Sequence, residues 1–472
     1  MRKLMQVLVG DRGEKDSGGC SHCNPEVGRG GVGGTGSEPT AEKLSLFNEF
    51  EHFAWLVQST SLDDESVLGR LARLAREISP DRERGMVVSF VNSEINHRKP
   101  SQFDEKMYFT SLMFPFLILA TSVKSRSTTS AISSSPTVPP VSPSSTQNES
   151  NYTAPYFPLL NFTQYSGNPI LSPNPENNWE SAYLYNPAAI VIDNRIFLLY
   201  RAQNESKTSV IGLAWSDDGY TFTRYNQPIL TPTEPYETPG GTEDPRIIRV
   251  NGTFYMTYTG YDGKNARLCL ATSTNLIDWT KYGPILPNVT DVVWDWQTPL
   301  TGYYPREGWS KSGAIIAEKI NGVYQMQFGD SFLYYAHSTD LIHWNATYNQ
   351  EPFAQKLNVW EQALMESGPP PVKTRDGMSL KIYNGVATGL GGYQPGSYNT
   401  GEMLIDPVNK PSGPPIARLE TPLLQPTSVN EVEGQVDNVV FSEGLVQFKG
   451  QWLLYFGEGD KYLGVATTPV QP

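Results

Sequence analysis

From Asn161 to the C-terminus, short runs of apolar and aromatic residues alternate with clusters of turn-forming residues. One motif recurs five times: apolar residues, an aromatic residue and, in most copies, a glycine. Such runs, bounded by Gly, Asn and Asp, predict β-strands. The copies are Ile196–Arg201, Phe254–Gly260, Val323–Gly329, Leu380–Gly385 and Trp452–Gly457.

A second motif follows three of these copies and consists of a small residue and Ser, an Asp or Asn turn, and an aromatic residue. It occurs at Ala214–Phe222, Ala271–Trp279 and Ala336–Trp344. This order predicts one hairpin edge. Repeated units made only of strands indicate propeller blades. We therefore predict an all-β fold, a five-bladed β-propeller over residues 156–472. A β-sandwich is the alternative, but it gives no reason for five matched units.

The chain before the predicted propeller has three parts. Residues 1–106 contain a helix-like segment from Asp63 to Ile78, and we expect a largely disordered or poorly defined extension of unknown role. Residues 107–122 form an apolar run that resembles a secretory signal core, because it is too short for a comfortable span of ~20 residues. Residues 123–155 are rich in Ser, Thr and Pro and predict a disordered stalk.

Two interpretations of the apolar run are open. In the first, Met107 is the true start, and residues 1–106 are an erroneous extension of the gene model. In the second, residues 107–122 are a signal anchor, residues 1–106 are cytosolic, and the protein is a single-pass membrane protein with the propeller outside. We favour the first, and we expect a membrane partner only if residues 107–122 remain as an anchor.

Asn-x-Ser/Thr sequons lie only after the apolar run. Their one-sided placement favours export and N-glycosylation of everything beyond residue 122, so we expect a secreted protein. The seven acceptors are Asn148, Asn151, Asn161, Asn204, Asn251, Asn288 and Asn345.

Composition narrows the function classes. The 472 residues carry a formal net charge of -13, which disfavours nucleic acid as a partner because nucleic acid requires a basic face. Cys20, His22 and Cys23 fall one ligand short of a closed zinc site, and Cys269 is alone in the second half of the chain. We predict no metal site and no cofactor.

Acidic residues occur at corresponding ends of the predicted strands. A single loop acid is more often solvated or turn-capping, but a propeller brings such strand ends together at its central channel. Glycosidic cleavage needs one protonated carboxyl and one carboxylate, and crowded acids raise one another's pKa. The set therefore favours glycosidic chemistry. The segments are Gly240–Arg246, Phe328–Asp330, Met365–Pro371 and Phe456–Asp460.

From about Tyr185 to Thr467 the chain resembles glycoside hydrolase family 130, five-bladed propellers that act on β-mannosides as inverting phosphorylases or as hydrolases. The resemblance implies a β-mannoside oligosaccharide or glycan as substrate. The motifs that carry it are Tyr185–Ala189, Tyr200–Arg201, Gly241–Arg246, Tyr258–Gly263, Ala271–Ser273 with Trp279, Lys311–Ala314, Asn438–Phe441 and Phe456–Asp460.

The resemblance also implies roles for individual residues. Asp244 would be the general acid, acting through a hydroxyl group of the bound mannose, and Glu243 would help to orient it. Lys311 corresponds to one cation of the phosphate cluster of the phosphorylases. The implied substrate-binding residues are Asn186, Arg201, Glu243, Arg246, Tyr261, Lys311 and Asp460.

The third copy of the first motif separates the two reactions. Where the phosphorylases carry a His-Arg pair, this chain reads Phe328-Gly329-Asp330, and a carboxylate there repels phosphate. By resemblance to the hydrolases, Asp330 and Glu366 position the water. Asp330 is one methylene shorter than the Glu of those hydrolases, so we expect Glu366 to be the main base.

Three other functions stay open. A binding-only propeller would have lost the acids, and a phosphorylase would need more cations than Lys311 offers. A glycosidase of another specificity, acting on arabinosides or fructosides, would share the fold, since fold does not determine the substrate.

Expression from Met107 in a eukaryotic host should give a secreted, endoglycosidase-sensitive protein, because the sequons lie beyond the signal-like run. Mobility on gels before and after endoglycosidase treatment of the culture medium measures this. Recovery of an unglycosylated protein from the cytosol would contradict it.

Overall fold

The computed structural model describes residues 136–294, 303–346 and 352–472. The predictions for residues 1–106 and 107–122, including the helix-like segment and Cys20 and Cys23, lie outside these residues. No helix in the described part of the chain is long and apolar enough to cross a membrane.

The described residues are almost entirely strand and turn. Four short 3-10 helices (Asn178–Glu180, Pro235–Glu237, Val359–Glu361, Leu390–Gly392) and one α-helix, α1 (Val429–Val432), lie between the strands. The strands are β1 (Thr163–Gln164), β2 (Tyr183–Ile192), β3 (Arg195–Gln203), β4 (Val210–Ser216), β5 (Thr223–Arg224), β6 (Gly241–Val250), β7 (Thr253–Tyr261), β8 (Ala266–Ser273), β9 (Thr280–Pro284), β10 (Thr290–Trp294), β11 (Tyr303–Glu307), β12 (Ala314–Ile315), β13 (Tyr324–Phe328), β14 (Tyr334–Ser338), β15 (Asn345–Ala346), β16 (Leu364–Ser367), β17 (Val372–Lys373), β18 (Ser379–Val386), β19 (Tyr398–Ile405), β20 (Ala417–Arg418), β21 (Val440–Phe448), β22 (Gln451–Glu458) and β23 (Tyr462–Pro469).

These strands form five antiparallel blades, which confirms the five-bladed β-propeller. In order along each sheet, blade 1 is β2-β3-β4-β5, blade 2 is β6-β7-β8-β9 and blade 3 is β12-β13-β14-β15. Blade 4 is β16-β18-β19-β20, with β17 also paired to β18. Blade 5 is β21-β22-β23 and takes β1 as its outer strand, so the first strand of the described residues closes the ring on the last blade. The hairpin β10-β11 forms a two-stranded sheet of its own.

The first sequence motif marks the second strand of each blade (β3, β7, β13, β18, β22), and the strand before it is the innermost one. Apolar side chains from neighbouring blades pack together, so the core is a ring of clusters between blades. The second motif forms the predicted outer hairpins. In each of these hairpins a serine hydroxyl accepts a backbone N–H three residues later and holds the turn, at Ser216, Ser273 and Ser338.

A buried Glu in a 3-10 helix accepts a hydrogen bond from a Tyr of the second strand in blades 1, 2 and 4. The pairs are Glu180 with Tyr200, Glu237 with Tyr258 and Glu361 with Tyr383, at 2.8, 2.8 and 2.5 Å. A cation near the fourth strand completes each group, namely Arg224, Lys281 and Arg418, at 3.1, 2.6 and 2.8 Å from the carboxylate. Each group joins the inner and outer parts of its blade, because a buried charge needs a partner.

The prediction of a disordered stalk over residues 123–155 is wrong for residues 136–155, which pack on the propeller. Val138 is buried in the cluster between blades 1 and 2. Arg249 donates hydrogen bonds to the carbonyls of Ser142 and Ser145. The ring of Tyr152 lies 5.9 Å from that of Trp452. The segment needs no core of its own, because it uses side chains of the blades.

Tyr258→Phe should lower the free energy of unfolding by about 1.5–3 kcal/mol, the usual range for a hydrogen bond to a charged group. It removes the hydroxyl that Glu237 accepts inside blade 2. Tyr255→Phe, at a half-buried position on the opposite face of β7, is the control and should change stability by less than about 0.5 kcal/mol. Urea unfolding of both variants measures the difference. Equal effects would show that the Glu–Tyr contact contributes nothing special.

Candidate active site

Irregularities in the innermost strands direct polar side chains into the central channel. Strand β2 bulges at Asn186 and β6 bulges at Asp244, and both residues adopt the left-handed conformation with φ of 52° and 50°. Asn and Asp tolerate this conformation better than other side chains. A bulge re-aims the side chain of a strand, and the two residues therefore meet although they lie in different blades.

The two residues line a small cavity of 80 Å³ at one end of the channel. Blades 1, 2, 4 and 5 contribute to it, as does the segment just before blade 3. Its lining residues are Asn186, Arg201, Asp244, Lys311, Glu366, Tyr398, Val439, Phe441 and Asp460.

Asp244 is surrounded by donors. Its Oδ1 accepts from Asn186 at 2.8 Å and from Arg201 at 3.1 Å, and Lys311 Nζ lies 3.2 Å from Oδ2. Burial raises the pKa of this carboxyl, but Lys311, Arg201 and Arg246 together outweigh burial and hold the pKa below its usual range. These cations therefore favour the carboxylate form of Asp244.

Lys311 bridges the predicted acid and the predicted base. Its Nζ lies 3.0 Å from Glu366 Oε1, to which the Ser312 hydroxyl also donates. Burial raises the pKa of Glu366, and the charges of Asp330 and Asp244 add to this, while Lys311 opposes it. Because both carboxylates contact one ammonium group, their nearest oxygens are at most about 6 Å apart. This upper limit lies below the ~6.5–9.5 Å between the carboxyl groups of inverting glycosidases and above the ~5–5.5 Å of retaining ones, so the expectation of inversion rests on the resemblance.

Asp330 follows β13 and is not among the residues that line the cavity. Its carboxylate accepts from Arg306, in β11 of the separate hairpin, and from the indole N–H of Trp309 at 3.1 Å. The guanidinium of Arg306 also lies over the ring of Trp309, 4.1 Å from its centre. The structure thus places Asp330 in an ion pair that sequence reasoning did not foresee, although its charge acts on Glu366.

Two further predicted acids flank Arg201. Glu243 accepts from Arg201 at 2.6 Å and from Ser209 at 3.1 Å, and burial raises its pKa. Asp460, in the turn after β22, lines the cavity itself. Burial raises the pKa of Asp460 to about 7, against the lowering effect of Arg201. Arg201 also stacks on Tyr185, with its guanidinium carbon 4.6 Å from the ring centre.

Two predicted substrate-binding residues do not line the cavity. Arg246 is buried, and its guanidinium binds main-chain carbonyls and Glu443. Tyr261 packs edge to face against Trp309. For both residues, direct contact with the sugar stays a prediction from the resemblance, and the geometry of Arg246 speaks against it.

Several residues at or next to the cavity had no role predicted from the sequence, although Ser312 and Phe441 lie in motifs that carry the resemblance. They are Ser312, Tyr398, Phe441, Arg306, Trp309 and Glu443. Glu443 had a signal, since it is the one charged residue within the otherwise uncharged strand β21. Among the residues that the structure describes, no group of His, Cys, Asp and Glu is arranged to hold a metal ion.

Comparison with known proteins decides the family. The model of glycoside hydrolase family 130, described as beta-1,4-mannooligosaccharide phosphorylase, matches residues 154–472. The chain belongs to glycoside hydrolase family 130.

Relatives within glycoside hydrolase family 130 carry two kinds of name. A 1,2-beta-oligomannan phosphorylase and a beta-1,2-mannobiose phosphorylase, both of Thermoanaerobacter sp. (strain X514), are each 34% identical to this chain. Each alignment covers 65% of this chain and 97% of the relative. A solved structure comes from work on this family of mannoside phosphorylases, which is described as containing glycoside hydrolases that target beta-1,2 mannosidic linkages in Candida mannan. It is 31% identical, covers 68% of this chain and 99% of its own, and has a TM-score of 0.58.

Asp244→Asn should lower kcat by about 10²–10⁴-fold, the usual contribution of general acid–base catalysis, because the amide cannot carry the proton. Shape and the contact with Asn186 are preserved, so thermal unfolding should change little. Asp262→Asn, at a partly exposed turn where Asp262 pairs with Arg267, is the matched control and should keep wild-type kcat. If Asp244→Asn retained more than about a tenth of wild-type kcat, another residue would be the acid.

Proposed function

We propose that this β-mannoside-active enzyme of family 130 is an inverting hydrolase. Asp244 is the general acid, Glu366 is the main base that takes a proton from water, and Asp330 assists in positioning that water. Asn186, Arg201 and Asp460, which line the cavity with Asp244 and Glu366, bind the sugar. This assignment combines the resemblance with the geometry of the cavity.

The excess of carboxyl groups at the cavity carries the hydrolase proposal. Three acids line it (Asp244, Glu366, Asp460) against two cations (Arg201, Lys311), and both cations contact carboxylates. The neighbouring cation Arg306 is paired with Asp330. A phosphorylase must hold inorganic phosphate, which requires positive donors directed at the anion. Carboxylates at such short range repel an anion, whereas they accept hydrogen bonds from water.

The protonation state of Asp244 must change during the reaction. Lys311 has the largest effect of the cations that lower the pKa of Asp244. A sugar hydroxyl that displaces this ammonium from Oδ2 removes that influence, while burial by the sugar raises the pKa further. Lys311 then remains with Glu366, which favours the carboxylate form that a base needs. Substrate binding thus sets the acid and the base in opposite states.

We further propose β-1,2-linked mannosides as the substrate. The supporting observation is that the relatives at 34% identity are named for β-1,2 linkages, and the solved structure at 31% identity is described by hydrolysis of the same linkage. The family description names a β-1,4 linkage, which is the competing candidate.

Export of the propeller is also part of the proposal. It rests on the signal-like run and on the seven sequon asparagines, none of which is buried in the described structure. Oligosaccharyltransferase modifies exposed loops, so their exposure is consistent with use.

Digestion of β-1,2- and β-1,4-mannooligosaccharides, with and without inorganic phosphate, separates the reactions. We expect free mannose at the same rate in both conditions, with the α-anomer formed first by NMR, because inversion at a β-linkage gives an α product. The β-1,2 series should be the better substrate. Mannose 1-phosphate in the products would establish a phosphorylase, which the names of the relatives favour.

Glu366→Gln should lower kcat at least as much as Asp330→Asn, since Glu366 lines the cavity and Asp330 is engaged by Arg306. A loss of about 10²–10⁴-fold is expected for the base. Glu318→Gln, at an exposed ion pair with Lys373, is the control and should behave as wild type. Full activity in the double variant of Asp330 and Glu366 would mean that other groups activate the water.

A further inference from the structure

A layer of buried polar groups lies directly beneath the cavity, with Arg246 at its centre. The side chain of Arg246 is 1% exposed. Its Nη1 donates to the carbonyl of Asp244 at 3.1 Å, its Nη2 to the carbonyl of Ser367 at 2.5 Å, and its Nε to the carbonyl of Gly368 at 3.0 Å. One guanidinium group therefore holds the main chain of the predicted acid and the main chain that directly follows the predicted base, Glu366.

The counter-ion of Arg246 comes from a third blade. Glu443 lies at the bulge of β21 in blade 5, has no exposed surface, and places Oε1 2.6 Å from Arg246 Nη2. Through the pair and the carbonyl bonds, Arg246 thus connects blades 2, 4 and 5. A buried ion pair is often no more stabilising than well-packed apolar side chains of similar volume. Its presence here points to a need to hold the connected main-chain groups in position, rather than to a gain in stability.

The other basic side chain of this layer is Lys381, and its surroundings disfavour its charged form, so Arg246 is the cation of the layer. Lys381 donates to the hydroxyl of Ser367 at 3.1 Å, and burial holds the pKa of Lys381 well below its usual range, with the charge of Arg246 acting in the same direction. The same hydroxyl donates to the carbonyl of Gln327 in blade 3 at 3.0 Å. Hydrogen bonds therefore fix Ser367 from blades 2, 3 and 4, next to Glu366.

We propose that Arg246, held by Glu443, is a positioning residue that fixes the separation of Asp244 and Glu366 across the channel. This inference rests on the proposed roles of those two carboxyl groups. It differs from the role that the resemblance implied, because Arg246 here acts through the main chain and not on the sugar.

The backbone at Asp244 explains why such a clamp is needed. Asp244 lies at a bulge with φ of 50°, a conformation that costs free energy for a residue other than glycine and persists only where its surroundings impose it. The bulge interrupts the ladder between β6 and β7 from Glu243 to Arg246. Arg246 supplies the hydrogen bond that pins the Asp244 carbonyl there. A displacement of about 1 Å at a reacting group costs roughly 100-fold in rate.

Arg246→Lys tests the inference, because Lys keeps the charge but cannot reach three carbonyls in a plane. We expect kcat to fall by about 100-fold while KM changes less than about threefold, since the sugar contacts are left intact. The matched control is Arg418→Lys, which shortens the same side chain in the buried pair with Glu361, away from the cavity. It should lower the melting temperature to a similar extent and leave kcat of the folded enzyme unchanged.

Glu443→Gln provides the second variant, for the case that Arg246→Lys does not fold. It preserves shape and leaves the three carbonyl bonds in place, but it removes the carboxylate that holds the guanidinium from blade 5. We expect a displacement smaller than the 1 Å that costs roughly 100-fold, and therefore a fall in kcat of about tenfold with an unchanged KM. Glu237→Gln, in another buried ion pair, is its control.

Wild-type kcat in folded Glu443→Gln would overturn the inference. So would a rise in KM at unchanged kcat in Arg246→Lys, which would return Arg246 to direct sugar binding. All ratios are taken on whichever reaction the wild-type enzyme catalyses, hydrolysis or phosphorolysis. Failure of the hydrolase proposal appears in the wild-type products, and failure of this inference appears only in the variants.

Discussion

The ion pair network of the channel is the constraint that shapes the rest of the molecule. Carboxyl groups from blades 2, 4 and 5 meet at one small cavity among buried side chains, where like charges repel strongly. Lys311 relieves this repulsion between Asp244 and Glu366 by contacting both, at 3.2 and 3.0 Å. The same contacts lower the pKa of Asp244 and oppose the rise that burial causes in the pKa of Glu366. One side chain therefore balances the charge of the two carboxyl groups to which the proposal assigns the acid and the base.

Such a network needs a rigid frame, because ion pairs that hold reacting groups must not drift. The propeller provides the frame by packing neighbouring blades through apolar clusters and by pairing β1 with β23 to close the ring. The Glu–Tyr–cation groups stiffen three blades from within. The cost appears at the bulges of the inner strands, where Asn186 and Asp244 occupy the left-handed region. Strain of this kind is typical of sites where geometry matters more than local stability.

The sequence allowed the fold and the centre of the site to be predicted, because both repeat or stand out locally. Five copies of one strand motif gave the five blades, and Asp244, Glu366, Lys311 and Asp460 do line one cavity. The contact of Arg306 with Asp330 could not be predicted, since it depends on where a hairpin outside the blades lies in the folded protein.

The sequence does contain a pattern for one feature of the fold that was not predicted, the Glu–Tyr–cation groups. Each of three buried Glu residues precedes its Tyr partner by 20 to 22 positions, a repeat that runs parallel to the strand motif. The prediction for residues 136–155 was wrong for a different reason. Composition indicates whether a segment can form a hydrophobic core of its own, but not whether it can pack against the core of another part of the chain.

The residue after Phe328-Gly329 shows how a local change in sequence can alter the reaction. The carboxylate of Asp330 at that position pairs with Arg306. The two charges cancel, so this position does not attract phosphate as a cation there would. On the proposed function, relatives that share a third of their residues can thus differ in whether phosphate or water accepts the sugar, which is why family membership alone does not determine the reaction.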